Sequence, residues 1–384
     1  MKVLFTSSQE TCLENINQLR NFQNNNIKKE TKGSFLNQNN LFTYCQYEIE
    51  DINKLKLDVL HLKFPKSLKK FSNRKPNFLL RKLTLILNKN LIKQLVDNHS
   101  VFIFSPGGFI EYEIAYKMKK QGKKTILIEG GLQPFDKSKE HIFIKTLNNF
   151  VSFIILNIFK LKLFKFGPFK IKFQELDYVV TTGKSSSLIW NESGLSSEKI
   201  IEAGVPRFEK YFASSNINSD EKIIIYGTGA YNFHSDVYGE NKDKEILENI
   251  YGFMKKHYPE IKFYISVHPR DNNFEILNKF PRELLIDSTH EIFKNSNYLF
   301  LSRRSSMVYE YTLLGRPAYF VQPESSRINF PVEDLILNNM NELKQKINSF
   351  LTQELVVDKS LAYGTITKDT ILSSSLINNL IYDV

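Results

Sequence analysis

Residues 100–131, SVFIFSPGGFIEYEIAYKMKKQGKKTILIEGG, limit the fold more than any other part of the chain. An unbroken apolar run at 101–104 is followed by Pro106-Gly107-Gly108, and then Ile110, Ile114, Tyr116 and Met118 form a helical pattern. A second apolar run, 125–128, stops at Glu129-Gly130-Gly131. Strand, helix and strand in this order are the unit of a parallel sheet. A strand can return beside its predecessor in the same direction only through a crossover of this kind.

The alternation extends over the chain. MKVLFTSS and LDVLHLKFP read as strands, and the first is followed by a polar Asn/Gln-rich region to about residue 40. DYVVTTG reads as a further strand leading into a capped helix near Ser185. Residues 214–222, SSNINSDEK, have the composition of a linker. After them the pattern restarts with EKIIIYGTG, KFYISVHP, ELLIDS, YLFLS and PAYFV as strands. DKEILENIYGFMKKHY, HEIFKNS and SSMVYEYTLLG read as the helices between them. At 384 residues the chain exceeds one ordinary core. The expected architecture is therefore two doubly wound, Rossmann-like α/β domains, 1–213 and 223–384, with a cleft between them. Ligands of such sheets sit at the carboxyl ends of the strands.

Charge separates the halves. Residues 1–212 carry 34 Lys and Arg against 19 Asp and Glu, whereas 213–384 carry 18 against 22. The first half is expected to meet an anionic partner. Its most basic part, 141–174, holds six lysines and no carboxylate, interleaved with apolar and aromatic residues as in FKLKLFKFGPFKIKF. This composition suits an element lying on an anionic membrane surface or a basic amphipathic helix packed on its domain. The adjoining apolar run FVSFIILNIF is too short to span a bilayer. Cys12 and Cys45 show no metal or redox spacing, and MKVLFTSSQE is not a signal peptide. The expected location is cytoplasmic, peripheral on the inner face of the membrane. No helix-turn-helix, zinc-finger or RNP pattern occurs, so no nucleic-acid partner is expected.

Three groups fall at expected strand ends. His268-Pro269 closes KFYISVHP, because Pro269 cannot continue a ladder and holds His268 extended. Ser305-Ser306 opens a helix after Arg303-Arg304, where free amides, hydroxyls and guanidiniums suit a phosphate. Glu129 closes TILIE in the first domain. A nucleotide phosphate would rest on Ser305 and Ser306, with His268 donating to it or to the nucleotide, and Glu129 would take the proton of an acceptor hydroxyl. Arg304 adds charge or forms a solvated surface pair. Glu310, on the helix face of Ser306, holds a ribose hydroxyl or bridges to Arg316. Thr228 and Gly229 contact the donor or make a turn, and Gly107, Gly108 and Gly130 form an acceptor-side loop or plain turns.

An acidic residue before glycine, then His-Pro, then Ser-Ser resembles the GT-B sialyltransferases and polysialyltransferases of bacterial surface polysaccharides. The resemblance implies that Glu129 is the general base, that His268 and Pro269 contact CMP, and that Ser305 and Ser306 bind its phosphate. The family commonly carries two acidic residues before the glycine, where this chain has Ile128-Glu129-Gly130-Gly131. Gly204-Val205-Pro206-Arg207-Phe208 and YEYTLLGRPAYF are similar to the wider GT-B group that includes CDP-glycerol glycerophosphotransferases. The implied activity is an inverting, metal-independent transfer of a sialic-acid-like sugar from a CMP-activated donor to a glycan or lipid-linked glycan. No further cofactor is implied, and no Asp-x-Asp metal pair occurs. A UDP-sugar or CDP-alditol transferase is the near alternative, and a non-catalytic membrane-binding or nucleic-acid-binding protein the distant one.

Overall fold

The computed structural model describes residues 1–7, 10–26, 32–38, 52–53, 55–64, 78–105, 109–130, 176–192, 194–212, 221–229, 240–268, 275–287, 290–322 and 332–382. Segment 141–174, Gly107, Gly108 and Pro269 lie outside the described residues. The chain divides into two compact units. Among the described residues the first contains seven strands: β1 (Lys2–Ser7), β2 (Lys32–Asn37), β3 (Asp58–His61), β4 (Val101–Ser105), β5 (Lys124–Ile128), β6 (Tyr178–Val180) and β7 (Ile200–Ile201). The second contains β8 (Lys222–Gly227), β9 (Lys262–Ser266), β10 (Leu285–Ile286), β11 (Asn297–Ser302), β12 (Ala318–Val321) and β13 (Ile336–Leu337).

Neighbouring strands in both sheets are parallel, in the orders β3-β2-β1-β4-β5-β6-β7 and β10-β9-β8-β11-β12-β13. Strands covered on both faces read as continuous apolar runs rather than alternating ones. VFIFS in β4 and the IIIYG portion of β8 fit this rule, and all their residues are buried. Each order reverses direction once, between β1 and β4 and between β8 and β11. These are the topological switch points, where the crossovers diverge to opposite faces and leave a crevice at the carboxyl ends.

Two expectations change. The polar region after β1, to which the sequence reading assigns no element, contains a helix and a strand: helix Glu10–Asn26 buries Leu13, Ile16 and Leu19, and KGSFLN forms β2 beside β1. Its asparagines and glutamines lower mean hydropathy without disturbing the buried stripe. The second domain also does not run to 384, because Thr365–Val384 belongs to the first unit. Helix Ser373–Tyr382 packs on helix Glu10–Asn26 and buries Ile377 and Ile381. Gln23 Nε2 donates to Asn378 Oδ1 at 3.2 Å, and Thr367 N to Thr182 O at 2.9 Å. An apolar stripe in a sequence shows that a helix needs a partner, but not which sheet provides it.

Gly204 sits against this returning segment at φ +70°, and an added Cβ would lie 1.8 Å from Thr370 Oγ1. Gly122 has a similar φ of +68° with open space around it. Gly122→Ala is therefore expected to destabilise by about 1–2 kcal/mol, from backbone strain alone. Gly204→Ala adds overpacking and is expected to exceed it by at least about 1 kcal/mol. Denaturant unfolding of both variants checks this, and equal losses would mean that the C-terminal segment does not press on Gly204.

Candidate functional site

In the second sheet, Gly227 of β8 pairs with Ser266 of β9 and with Ser302 of β11, so three strands end in register. The residues that follow emerge together. Thr228 N donates to Ser266 O at 2.9 Å, and Thr228 Oγ1 accepts from His268 N at 2.8 Å. This ties the ends of β8 and β9 and places the half-buried His268 at the carboxyl edge. Ser302 Oγ donates to Gly227 O at 2.8 Å and accepts from Ser305 N at 3.0 Å and Arg304 N at 3.3 Å. One buried hydroxyl thus shapes the turn from β11 into helix Met307–Leu313.

The two arginines are not a solvated pair. Arg303 Nη1 reaches Asp243 Oδ1 at 2.5 Å, and Arg304 Nη2 lies 2.8 Å from Asp243 Oδ2. Their side chains are only 3% and 4% exposed, and Asp243 is fully buried in helix Glu240–His257. Gln322 Nε2, just past β12, donates to Arg303 O at 2.6 Å. Gly229 is required by the same packing, since a Cβ there would meet Arg304 Cγ at 2.7 Å. The result is a buried cluster of two guanidiniums on one carboxylate, net positive by a single charge, at the turn that follows β11, in surroundings where a charge interacts far more strongly than in water.

Ser305 and Ser306 stand at the start of the helix as expected, with different partners. Ser305 Oγ accepts from Met307 N at 3.3 Å. Ser306 makes no side-chain cap and donates to Glu310 Oε1 at 3.2 Å. Arg316 does not bridge to Glu310. Instead it donates to Ser296 O at 3.1 Å and lies 4.3 Å from the centre of the Tyr298 ring. Asp243, Ser302 and Gln322 were not foreseen. Asp243 sits in the charged run ENKDKE, where nothing marks one carboxylate as buried.

In the first unit, Glu129 closes β5 as expected, and its amide continues the ladder to Val180 O at 3.0 Å. Its carboxylate is turned inward and is 2% exposed. Oε2 accepts from Thr182 N at 2.8 Å, and Oε1 accepts from Trp190 Nε1 at 2.7 Å and from Ser186 Oγ. Asn15 Nδ2 donates to the Glu129 carbonyl at 3.0 Å, and half-buried Gly130 follows. A general base must present an oxygen to the proton it takes. In this geometry both oxygens accept bonds from the helix Lys184–Glu192 and the turn before it, which fastens that helix to the end of β5. Burial pushes its carboxyl above the ordinary 4.5, opposed by the bonds from Ser186, Thr182 and Trp190.

Comparison with solved structures identifies the architecture. UDP-GlcNAc 2-epimerase from Neisseria meningitidis, bound to UDP-GlcNAc, matches over 100% of both chains with a TM-score of 0.60 at 12% identity. Anabaena Alr3699/HepE in complex with UDP matches over 100% of both chains at 0.55 and 10%. The lipopolysaccharide outer core galactosyltransferase WaaB, apo form, matches over 100% of this chain and 99% of its own at 0.50 and 13%. No family model and no curated protein matches the chain. At these identities the likeness is one of fold, and the fold is GT-B-like: two parallel-sheet, Rossmann-like α/β domains.

Two outcomes are expected. Asp243→Asn leaves two buried guanidiniums without their shared carboxylate and should lower stability by about 3–5 kcal/mol, measured by denaturant unfolding. Trp190 is the chain's single tryptophan and bonds Glu129 directly, so its fluorescence should titrate with a midpoint above 4.5 that disappears in Glu129→Gln. Because the folded value is raised, this group's contribution to stability is full below 4.5 and is lost as pH rises through the folded value.

Proposed function

We propose that this chain is a glycosyltransferase that binds a nucleotide sugar at the carboxyl ends of β8, β9 and β11 and transfers the sugar to a surface glycan. The observation that carries the reading is the convergence of Thr228, His268, Ser302 and the Asp243-held Arg303 and Arg304 at the switch point of the second sheet. Planar guanidiniums recognise phosphate oxygens well, and a rigid turn holds these in place before any ligand arrives. In the transfer, an acceptor hydroxyl oxygen bonds to the anomeric carbon as the bond from that carbon to the leaving phosphate breaks. The electron pair goes to the phosphate, whose growing negative charge meets the preorganised positive cluster. The hydroxyl proton passes to solvent water, and Glu129 acts as a positioning residue in this proposal.

For the donor, the reading favours a UDP-sugar. It is supported by the fold likeness to proteins solved with UDP-GlcNAc and with UDP. A CMP-activated ulosonic sugar is the second reading, favoured by the order of the His268-Pro269 and Ser305-Ser306 elements. The basic segment 141–174 would hold the enzyme on the anionic inner face of the membrane, near a lipid-linked acceptor.

Thermal unfolding with UDP, CMP and CDP tests the donor site. A ligand at a hundred times its Kd stabilises by about 2.7 kcal/mol, a shift of several degrees. UDP is expected to give it, and His268→Ala is expected to weaken UDP at least tenfold with the unliganded midpoint unchanged. A shift with CMP alone would move the donor to the ulosonic class. No shift with any nucleotide would sink the reading. Product analysis without acceptor separates transfer from epimerisation, since only an epimerase would then convert the donor into its isomer.

A further inference from the structure

The amino-terminal edge of the first sheet carries a polar cavity. It has a volume of about 660 Å³ and lies at the amino ends of β1, β2 and β3, against the end of helix Lys89–Asn98. Nucleotide binding at the carboxyl ends leaves this edge unexplained. The volume falls in the range of small-ligand sites, about 300–1,000 Å³.

Its chemistry is cationic above and polar below. Exposed Lys2 and Lys56 stand on its rim, and among the described residues neither forms an ion pair. Among the described residues Asp58 is the single carboxylate of the lining, while Gln94 and Asn98 add amides. Arg20 lines the wall, where its Nε–H donates to Leu55 O at 3.5 Å and Nη1 to Gln23 Oε1 at 2.8 Å. This holds the turn that presents Lys56.

The backbone at Lys56 is the second observation. Its φ is +50°, in the left-handed region where glycine is unstrained and other residues are uncommon. Its amide donates to Asn53 O at 3.2 Å, so the turn is closed. A strained lysine is kept where glycine would relieve the backbone, and it stands at the mouth of a cavity. Strain held at one residue points to a use for its side chain.

The floor is fixed by His99. Nδ1 lies 2.8 Å from Leu95 O, which can only accept, so Nδ1 carries the proton. Nε2 then accepts from Ser34 Oγ at 3.0 Å. Burial pushes this imidazole below 6.5, and nearby Lys2 and Lys123 act the same way against the Leu95 bond. The neutral ring leaves Ser34 with lone pairs on its oxygen, able to accept from a sugar hydroxyl.

We infer that this cavity is a binding site for a sugar bearing one phosphate or carboxylate, with Lys2 and Lys56 meeting the anion and Ser34, Asp58, Gln94 and Asn98 meeting the hydroxyls. The inference stands on the first unit alone and is independent of the donor reading for the second.

Calorimetric titration of the full chain with glucose 1-phosphate, glucuronate, glucose and inorganic phosphate tests it. At least one of the two anionic sugars should bind, and neutral glucose at least tenfold more weakly. The double variant Lys2→Gln, Lys56→Gln should weaken that binding at least tenfold, with Trp190 fluorescence and thermal midpoint unchanged. His268→Ala should leave it intact. The inference is overturned if neither anionic sugar binds, if glucose binds equally well, or if the double variant has no effect. Loss in His268→Ala alone would assign the ligand to the second unit, and inorganic phosphate binding equally tightly would remove the sugar from the assignment.

Discussion

A parallel sheet delivers the carboxyl ends of all its strands to one edge, and its helices must cover both faces. At the switch point the crossovers diverge, so that edge stays open where the central strands end. Here the register carries the constraint down to single residues. Gly227 pairs with both Ser266 and Ser302, and Thr228, Val267 and Arg303 therefore emerge from three strands at one level, with His268 one residue further on and bonded to Thr228. Cross-links between these ends then set a geometry that no single strand could hold.

Two of the carboxylates buried near such edges, Glu129 and Asp243, are stabilised differently. Glu129 is surrounded by neutral donors: an indole N–H, a hydroxyl and a backbone amide. Desolvation outweighs them, which keeps its carboxyl above the ordinary range and suits a residue that fastens a helix. Asp243 is met by two guanidiniums instead. Its charge fixes the direction of Arg303 and Arg304 rather than of a helix. The first arrangement holds the fold, and the second holds positive charge at a strand edge.

Much of the architecture was legible in the chain. Strands covered on both faces are unbroken apolar runs, and VFIFS, TILI, IIIYG, YLFLS and AYFV announce themselves. The positions of His268, Ser305 and Ser306 after strands followed from the same pattern. Legibility failed where burial is polar. Helix Glu10–Asn26 buries Asn15, Arg20 and Gln23 beside its apolar stripe, so its composition resembles a loop's. Arg303 and Arg304 looked like surface charge because their partner, Asp243, lies sixty positions away in a helix of similar charged residues.

The sequence by itself determined the class of fold, the unbroken apolar strands and the residues that must stand at their carboxyl ends, because periodicity and turn chemistry are local. Tertiary structure alone decided which way those residues face. It turned Glu129 inward onto Trp190, paired the arginines with Asp243 and returned Thr365–Val384 to the first sheet. Side-chain direction depends on partners distant in the chain, and the free energy of burying a charge is decided only when those partners meet.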